Sequence, residues 1–262
     1  MKKTNFTVSM PVTLLRPILT PIIVSIAASL AFIQSSYSSD SYASNIESKI
    51  QSAFGDKPMV VSDYDDQLKE VLVDSKVYFT THDGRYLFAG PIFDTERRTD
   101  IIALREDQLR QAYLNSLPED VFVNYPSSIP SKHEITVFTD IDCPYCRTLH
   151  GHMASFNQRG ISVNYIMLPR TGIGSESYKK TQAALCSADP AESITQAMQN
   201  QAPSPNSCEP LQVTRHMEIA TKLKINSTPT IVLPNGQIKL GLVNPDQLIA
   251  LLEASKQKKG GN

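Results

Sequence analysis

Apolar residues along this chain recur with two periods, and the change from one to the other marks out the elements. Ile46, Ile50 and Phe54 fall four apart, which predicts a short amphipathic helix over residues 44–54, ended by Gly55 with Pro58 beyond it. β-Rich segments follow: residues 67–73, with Leu68, Val71 and Val73, and then Val77-Tyr-Phe-Thr-Thr81. Asp83-Gly84 is a hairpin signal, and Arg85-Tyr-Leu-Phe-Ala89 is the returning strand, stopped by Gly90-Pro91. A helix is predicted over residues 99–117, with Ile102, Leu109 and Tyr113 among charged Arg105, Glu106, Asp107 and Arg110, and Pro118 terminates it. Its largely polar surface suits a solvent-bridging connection between two regions.

Pro126 and Pro130 mark the loop into the second region. From His133 the order is strand, helix, strand, long helical region, strand, turn, strand, helix. The strands are Ile135-Thr-Val-Phe-Thr139, Ile161-Ser-Val-Asn-Tyr-Ile-Met167, residues 230–233 and residues 238–240, the last two turned by Asn235-Gly236. One helix carries Leu149, Met153 and Phe156, and another covers residues 245–255. The helical region over 178–223 is broken by Pro190, Pro203, Pro205 and Pro210. The region before residue 99 is about fifty residues of helix and small sheet, a poor independent core. Its edge strand, with Tyr86, Leu87 and Phe88, invites pairing with a second copy of the chain.

The first 43 residues differ from the rest. Lys2, Lys3 and Arg16 precede an apolar run from Pro17 to Ile33, and a small polar stretch ends at Ser41-Tyr42-Ala43. This is a secretory signal pattern with cleavage expected after Ala43. An anchor helix is the alternative, but Pro17, Pro21, Ser25 and Ser29 interrupt a run that is short for a membrane span. The formal charge of the 262-residue chain is −1. Removing the segment takes away three basic residues and Asp40 and leaves −3. Neither value points to a nucleic-acid partner. All four cysteines, Cys143, Cys146, Cys186 and Cys208, come after the signal, and an even count in an exported chain fits two disulfides.

Cys143-Pro144-Tyr145-Cys146 joins a buried strand to the head of a helix. There, unpaired N–H groups and a partial positive charge favour thiolate over thiol, and the thiolate is the form that attacks a disulfide. Arg147 stands ready to add positive charge. A c-type haem site wants His directly after the second Cys, where Arg147 stands. Zinc could recruit Cys143, Cys146 and His150, but no second Cys-x-x-Cys or His pair completes the cage, so no metal is expected. An inert structural disulfide gains little from so short a loop. A redox dithiol is the reading these residues favour. For His150, a packed or surface role is expected. Further on, Thr228-Pro229-Thr230-Ile231 puts a proline at the entry of a strand, where a cis peptide and an ordinary trans start are both open. A cis turn beside the dithiol would leave the Thr228 backbone free to pair with an extended substrate.

Phe138-Thr-Asp-Ile-Asp-Cys-Pro-Tyr-Cys146, with Leu149-His150 after it, resembles the periplasmic disulfide isomerases DsbC and DsbG, and so does Ser227-Thr-Pro-Thr-Ile-Val-Leu-Pro-Asn-Gly236. The likeness extends to residues 77–94, where Asp83-Gly84 and Gly90-Pro91-Ile-Phe-Asp94 fit the family's dimerisation domain. The resemblance implies an α+β chain: a small N-terminal α+β dimerisation domain, a linker helix, and a C-terminal thioredoxin-like α/β domain with a helical insertion. The expected boundaries are 1–43 for the signal, 44–98, 99–117, 118–256, and a flexible tail over 257–262. It also implies that Cys143 attacks and Cys146 resolves, that Pro229 is cis, and that Cys186 and Cys208 form a structural disulfide. Pro144, Tyr145, Thr228 and Pro229 are expected to bind substrate or tune the active site. Pro-Tyr between the cysteines is more like DsbG, whereas the second cysteine pair is like DsbC.

The expected function is thiol–disulfide interchange in the periplasm, rearranging and reducing wrong disulfides in exported proteins. The resemblance implies a homodimer, misoxidised or unfolded exported proteins as substrates, a membrane electron donor of the DsbD type, chaperone activity and no cofactor. The competing expectations are a reductase of sulfenylated cysteines, a dithiol oxidase and a non-catalytic chaperone.

Overall fold

In this computed structural model residues 38–201 and 211–257 are described, with α1 side chains from Ile46 onward. The expected signal segment as far as residue 37, Cys208, Pro203, Pro205 and Pro210, and the end of the tail lie outside the described residues. The first helix, α1 (Ser38–Phe54), starts earlier than residue 44, ahead of the apolar repeat that begins at Ile46. Strands β1 (Met59–Asp63), β2 (Leu68–Val73), β3 (Lys76–Thr81) and β4 (Leu87–Phe88) form an antiparallel sheet in that order. The sequence reading assigned no element to β1, a five-residue run with too little alternation to stand out. It pairs from Met59↔Val73 to Asp63↔Lys69.

Period-2 alternation gives this sheet two apolar faces. Val71 and Val73 pack with Ile46 and Ile50 of α1, while Val77 and Phe79 pack with Ile101 on the other face. The expected hairpin is present, with Gly84 at φ +68° and its N–H on the Thr81 carbonyl at 2.8 Å. At the β4 edge Tyr86 and Phe88 are exposed. Short strands β5 (Phe93–Asp94) and β6 (Thr99–Asp100) lead into α2 (Ile101–Asn115), whose first N–H groups are capped by the Asp100 carboxylate.

Helix α2 buries both its ends. Ile101 belongs to the N-terminal core, and Leu114 packs with Phe138, Ile166, Ile219 and Val232 of the C-terminal region. Arg105 Nε donates to buried Glu70 of β2 at 2.6 Å. Arg110 donates to the Gly236 carbonyl and Gln111 to the Pro234 carbonyl. The helix is therefore packed against its neighbours along much of its length, where its polar sequence suggested a solvent bridge.

After a 3₁₀ turn (Glu119–Val121) come β7 (Val123–Tyr125) and β8 (His133–Thr139), then α3 (Pro144–His150), α4 (Met153–Gln158) and β9 (Ile161–Met167). The broken helical region is α5 (Glu176–Leu185), α6 (Pro190–Met198) and α7 (Leu211–Lys222). Strands β10 (Thr230–Val232) and β11 (Ile238–Leu240) and helix α8 (Pro245–Gln257) complete the chain. The five-stranded sheet has the order β11-β10-β8-β9-β7, with β8 and β9 parallel and the other pairs antiparallel. Three-residue β7 is too short for a periodic signal. The helix expected through Phe156 breaks at Gly151-His152, where glycine weakens helical continuity.

Candidate active site

Strands β8 and β9 run parallel in register up to Thr139↔Met167, so the loops that leave them emerge side by side. Strand β10 runs antiparallel to β8, with Thr230 opposite Phe138, so its entry loop arrives at the same end of the sheet. Cys143 and Cys146, residues 168–175 and Thr228-Pro229 therefore converge. The Thr228–Pro229 peptide is cis, which resolves the alternatives left open by the sequence.

Cys143 occupies the N-cap position of α3 with extended backbone, and Pro144 takes the first helical position, where no N–H is needed. Both cysteines are free and buried. The Cys143 thiol donates to the Thr228 carbonyl at 3.5 Å. Pro144 and Tyr145 lie on the surface, Tyr145 being 65% exposed.

The loop before Cys143 is held by Asp140, which is itself buried. Its carbonyl accepts the Cys143 N–H at 3.1 Å. One carboxylate oxygen accepts the Asp142 N–H at 3.0 Å and the Ser177 hydroxyl; the other accepts the Arg170 N–H at 3.1 Å. Arg147, expected to act on the thiol, is committed elsewhere. It donates to the Ile141 carbonyl at 2.7 Å, to Asp142 at 3.1 Å and to Asn200. The positive charge that acts on Cys143 is Arg170, thirty residues from its Asp140 partner in sequence.

The two thiols are tuned apart. Burial pushes the Cys143 thiol up, but the Cys146 N–H, the Thr228 side chain, the Cys146 thiol and the Arg170 charge outweigh it, and the group ends below the ordinary thiol range. Cys146 is pushed up to about 11, with burial the dominant cause. Their surroundings thus favour the thiolate at Cys143 and the neutral thiol at Cys146.

His150, one turn past Cys146, is buried, with Nδ1 3.0 Å from the Tyr165 hydroxyl, and burial lowers it to about 4. It is a packed residue, as expected. Among the described residues no cluster of three His, Cys, Asp or Glu side chains is arranged to hold a metal ion. Cys186, at the end of α5, is disulfide-bonded. The sequence reading gave no role to Asp140, Arg170, Thr139 or Ser177. Asp140 and Thr139 stand inside the segment from Phe138 to Cys146, but their distant partners come from the loop after β9 and from α5.

A thioredoxin-like sheet with a dithiol at a helix N-terminus defines a thiol–disulfide oxidoreductase. Residues 129–256 match the family model described as a thioredoxin-like domain, and residues 38–103 match that of the disulfide bond isomerase protein N-terminal domain. The chain is 32% identical over 194 residues to the thiol:disulfide interchange protein DsbC of Escherichia coli (strain K12), covering 74% of this chain and 80% of the relative. It is 33% identical over 196 residues to DsbC of Dickeya dadantii (strain 3937), with the same two coverages. Among solved structures, a disulfide interchange protein from Neisseria gonorrhoeae matches with a TM-score of 0.47 and 24% identity, over 53% of this chain and 99% of that one. The chain belongs to the DsbC family of thiol:disulfide interchange proteins, and it is an enzyme of disulfide isomerisation and reduction.

Proposed function

We propose that Cys143 is the attacking and Cys146 the resolving cysteine of this interchange. The Cys143 thiolate attacks a wrong disulfide in a substrate protein, forming a mixed disulfide and releasing one substrate thiolate. If that thiolate attacks another substrate disulfide, the pairing is rearranged and Cys143 is regenerated. If Cys146 attacks instead, the substrate is reduced and the enzyme leaves oxidised, so an external dithiol, of the membrane DsbD type, must restore it. The observation that carries this reading is the opposite tuning of the two sulfurs, Cys143 down and Cys146 up. An unreactive Cys146 lengthens the life of the mixed disulfide, which favours rearrangement over reduction.

In this reading Thr228 and Pro229 form the shelf on which an extended substrate lies, and exposed Pro144 and Tyr145 tune the site and meet the same chain. The Cys186 bond, proposed to be with Cys208, is structural and closes a loop of about twenty residues, worth about 3 kcal/mol. The working organisation is a signal over 1–43, a dimerisation domain over 44–98, a linker over 99–117, a catalytic domain over 118–256 and a tail over 257–262. The match to the isomerase N-terminal domain and the exposed β4 edge support a homodimer. Export to the periplasm, action on misfolded exported proteins and chaperone activity complete the proposal.

The test is the redox state of the dithiol in cells, trapped by acid quench and thiol alkylation. Free Cys143 and Cys146 are expected while the disulfide at Cys186 stays intact. A dithiol found bridged with the donor pathway intact overturns the isomerase reading in favour of an oxidase. Cys143→Ala is expected to abolish exchange, and unchanged exchange removes the thiol mechanism.

A further inference from the structure

Two buried hydroxyls stand beside the cysteine pair. Thr139 Oγ1 and Thr228 Oγ1 have no oxygen or nitrogen partner, which leaves the cysteine sulfurs as the groups they can serve. A buried hydroxyl without a partner is costly, so each calls for a physical account. Thr228 lies on the substrate shelf already described. Thr139 does not: it is the last residue of β8, fully buried, and its carbonyl accepts the Leu168 N–H at 2.6 Å.

Alternation along β8 shows where the Thr139 side chain is directed. Ile135 and Val137 pack in the core cluster that contains Cys143 and Cys146, while Phe138 packs in the cluster on the opposite face of the sheet. Two residues beyond Val137, Thr139 faces the cysteines. Across the β8–β10 ladder, the step after Phe138↔Thr230 sets Thr139 beside Pro229. Burial dominates at Cys146 and raises it, and against that the Thr139 side chain, the Asp140 N–H and Thr228 favour the thiolate.

We propose that Thr139 is a catalytic residue of the resolving step, its hydroxyl donating to the Cys146 sulfur as that thiol becomes a thiolate, and so setting how long the mixed disulfide lives. The inference rests on the roles assigned above to Cys143 and Cys146. In the step, the Cys146 thiol gives its proton to solvent. The electron pair of its thiolate forms the bond to Cys143 Sγ, and the bond between Cys143 and the substrate sulfur breaks. The substrate sulfur leaves with that pair and takes a proton. The substrate disulfide is reduced, and the enzyme dithiol is oxidised. Thr139 neither gains nor loses a proton; it supplies a hydrogen bond that becomes charge-assisted, and so stronger, when Cys146 is ionised.

Losing one such bond raises a thiol by about one unit, which cuts its thiolate fraction about tenfold at neutral pH. The more basic thiolate is about threefold more nucleophilic, so the net loss is about threefold. The experiment uses the reduced full chain and a chromogenic aromatic disulfide, read by stopped flow. Attack by Cys143 releases the first coloured thiolate, and resolution by Cys146 releases the second. Thr139→Val is expected to slow the second release about threefold at neutral pH. The pH midpoint for alkylation of Cys143 stays where it is, and Thr139→Ser restores the second release. With a scrambled disulfide substrate, Thr139→Val shifts the products from reduced toward rearranged. A second release at the wild-type rate in Thr139→Val, or no recovery in Thr139→Ser, overturns the inference. If Thr139→Val does not fold, Thr139→Ala against Thr139→Ser makes the same comparison. Cys143→Ser separates the two levels. Exchange persisting in that variant removes the assigned roles, whereas silence there with normal resolution in Thr139→Val removes only Thr139.

Discussion

At Asp140 one buried carboxylate collects the Asp142 and Arg170 N–H groups, the Ser177 hydroxyl and the Arg170 guanidinium, the last at 3.4 Å. Those bonds bring the loop after β9 against the loop that carries Cys143, and they hold the Arg170 charge where it favours the thiolate. Arg170→Gln removes the charge and keeps a polar side chain. The pH midpoint for alkylation of Cys143 is expected to rise, and to rise less at high salt because Arg170 is partly exposed. An unchanged midpoint would assign the depression to the Cys146 N–H, the Thr228 side chain and the Cys146 thiol. At this scale the sequence was legible wherever the chemistry is local: Cys-Pro-Tyr-Cys and Thr-Pro announce themselves in four and two residues. Arg170 was not legible, because its partner lies thirty positions away and only the parallel pairing of β8 with β9 brings the two together. Arg147 looked better placed by number, but the turn of α3 directs it to Ile141, Asp142 and Asn200.

Among the elements, α2 departs most from its sequence pattern. Its polar residues read as solvated, yet several of them are used in bonds to neighbouring elements. Arg105 serves Glu70 in the N-terminal sheet, while Arg110 and Gln111 serve the β10–β11 turn. That turn needs glycine for two reasons: Gly236 has φ +86°, and a Cβ there would lie 1.8 Å from the Asp107 carbonyl oxygen of α2. Gly236→Ala is expected to push α2 off the turn and cost about 2–3 kcal/mol in chemical denaturation. A loss below about 0.5 kcal/mol would mean that the helix moves away freely. The turn itself was legible from Asn-Gly, but the helix resting on it was not, since nothing local in residues 99–117 specifies a partner more than a hundred residues on. Strands β1 and β7 escaped for a related reason: both are short and are defined by the strands they pair with.

Over the whole molecule, two buried histidines set a limit in acid. His216 of α7 accepts the Met167 N–H on Nδ1 and donates from Nε2 to the Val121 carbonyl, so it is held neutral. Burial lowers both His216 and His150 to about 4, against 6.5 for an exposed histidine. The unfolded chain therefore binds more protons between those values, so stability falls as pH drops from 6.5 toward 4 and the loss levels off below. Each histidine contributes up to about 3 kcal/mol. Urea denaturation at pH 7 and pH 5 is expected to show a clear drop in midpoint at pH 5, and equal midpoints would contradict it. Assembly is testable at the β4 edge: Phe88→Lys is expected to convert a dimer to monomers in sedimentation, because a charge on an edge discourages strand pairing. Helix α2 also bears on how the chain can be taken apart. Pro118 looks like the natural place to cut, but Leu114 is anchored in the C-terminal core and Gln111 in its turn. The transferable module therefore begins inside the helix, and grafting the catalytic half onto another scaffold means carrying the last two turns of α2 as its foundation.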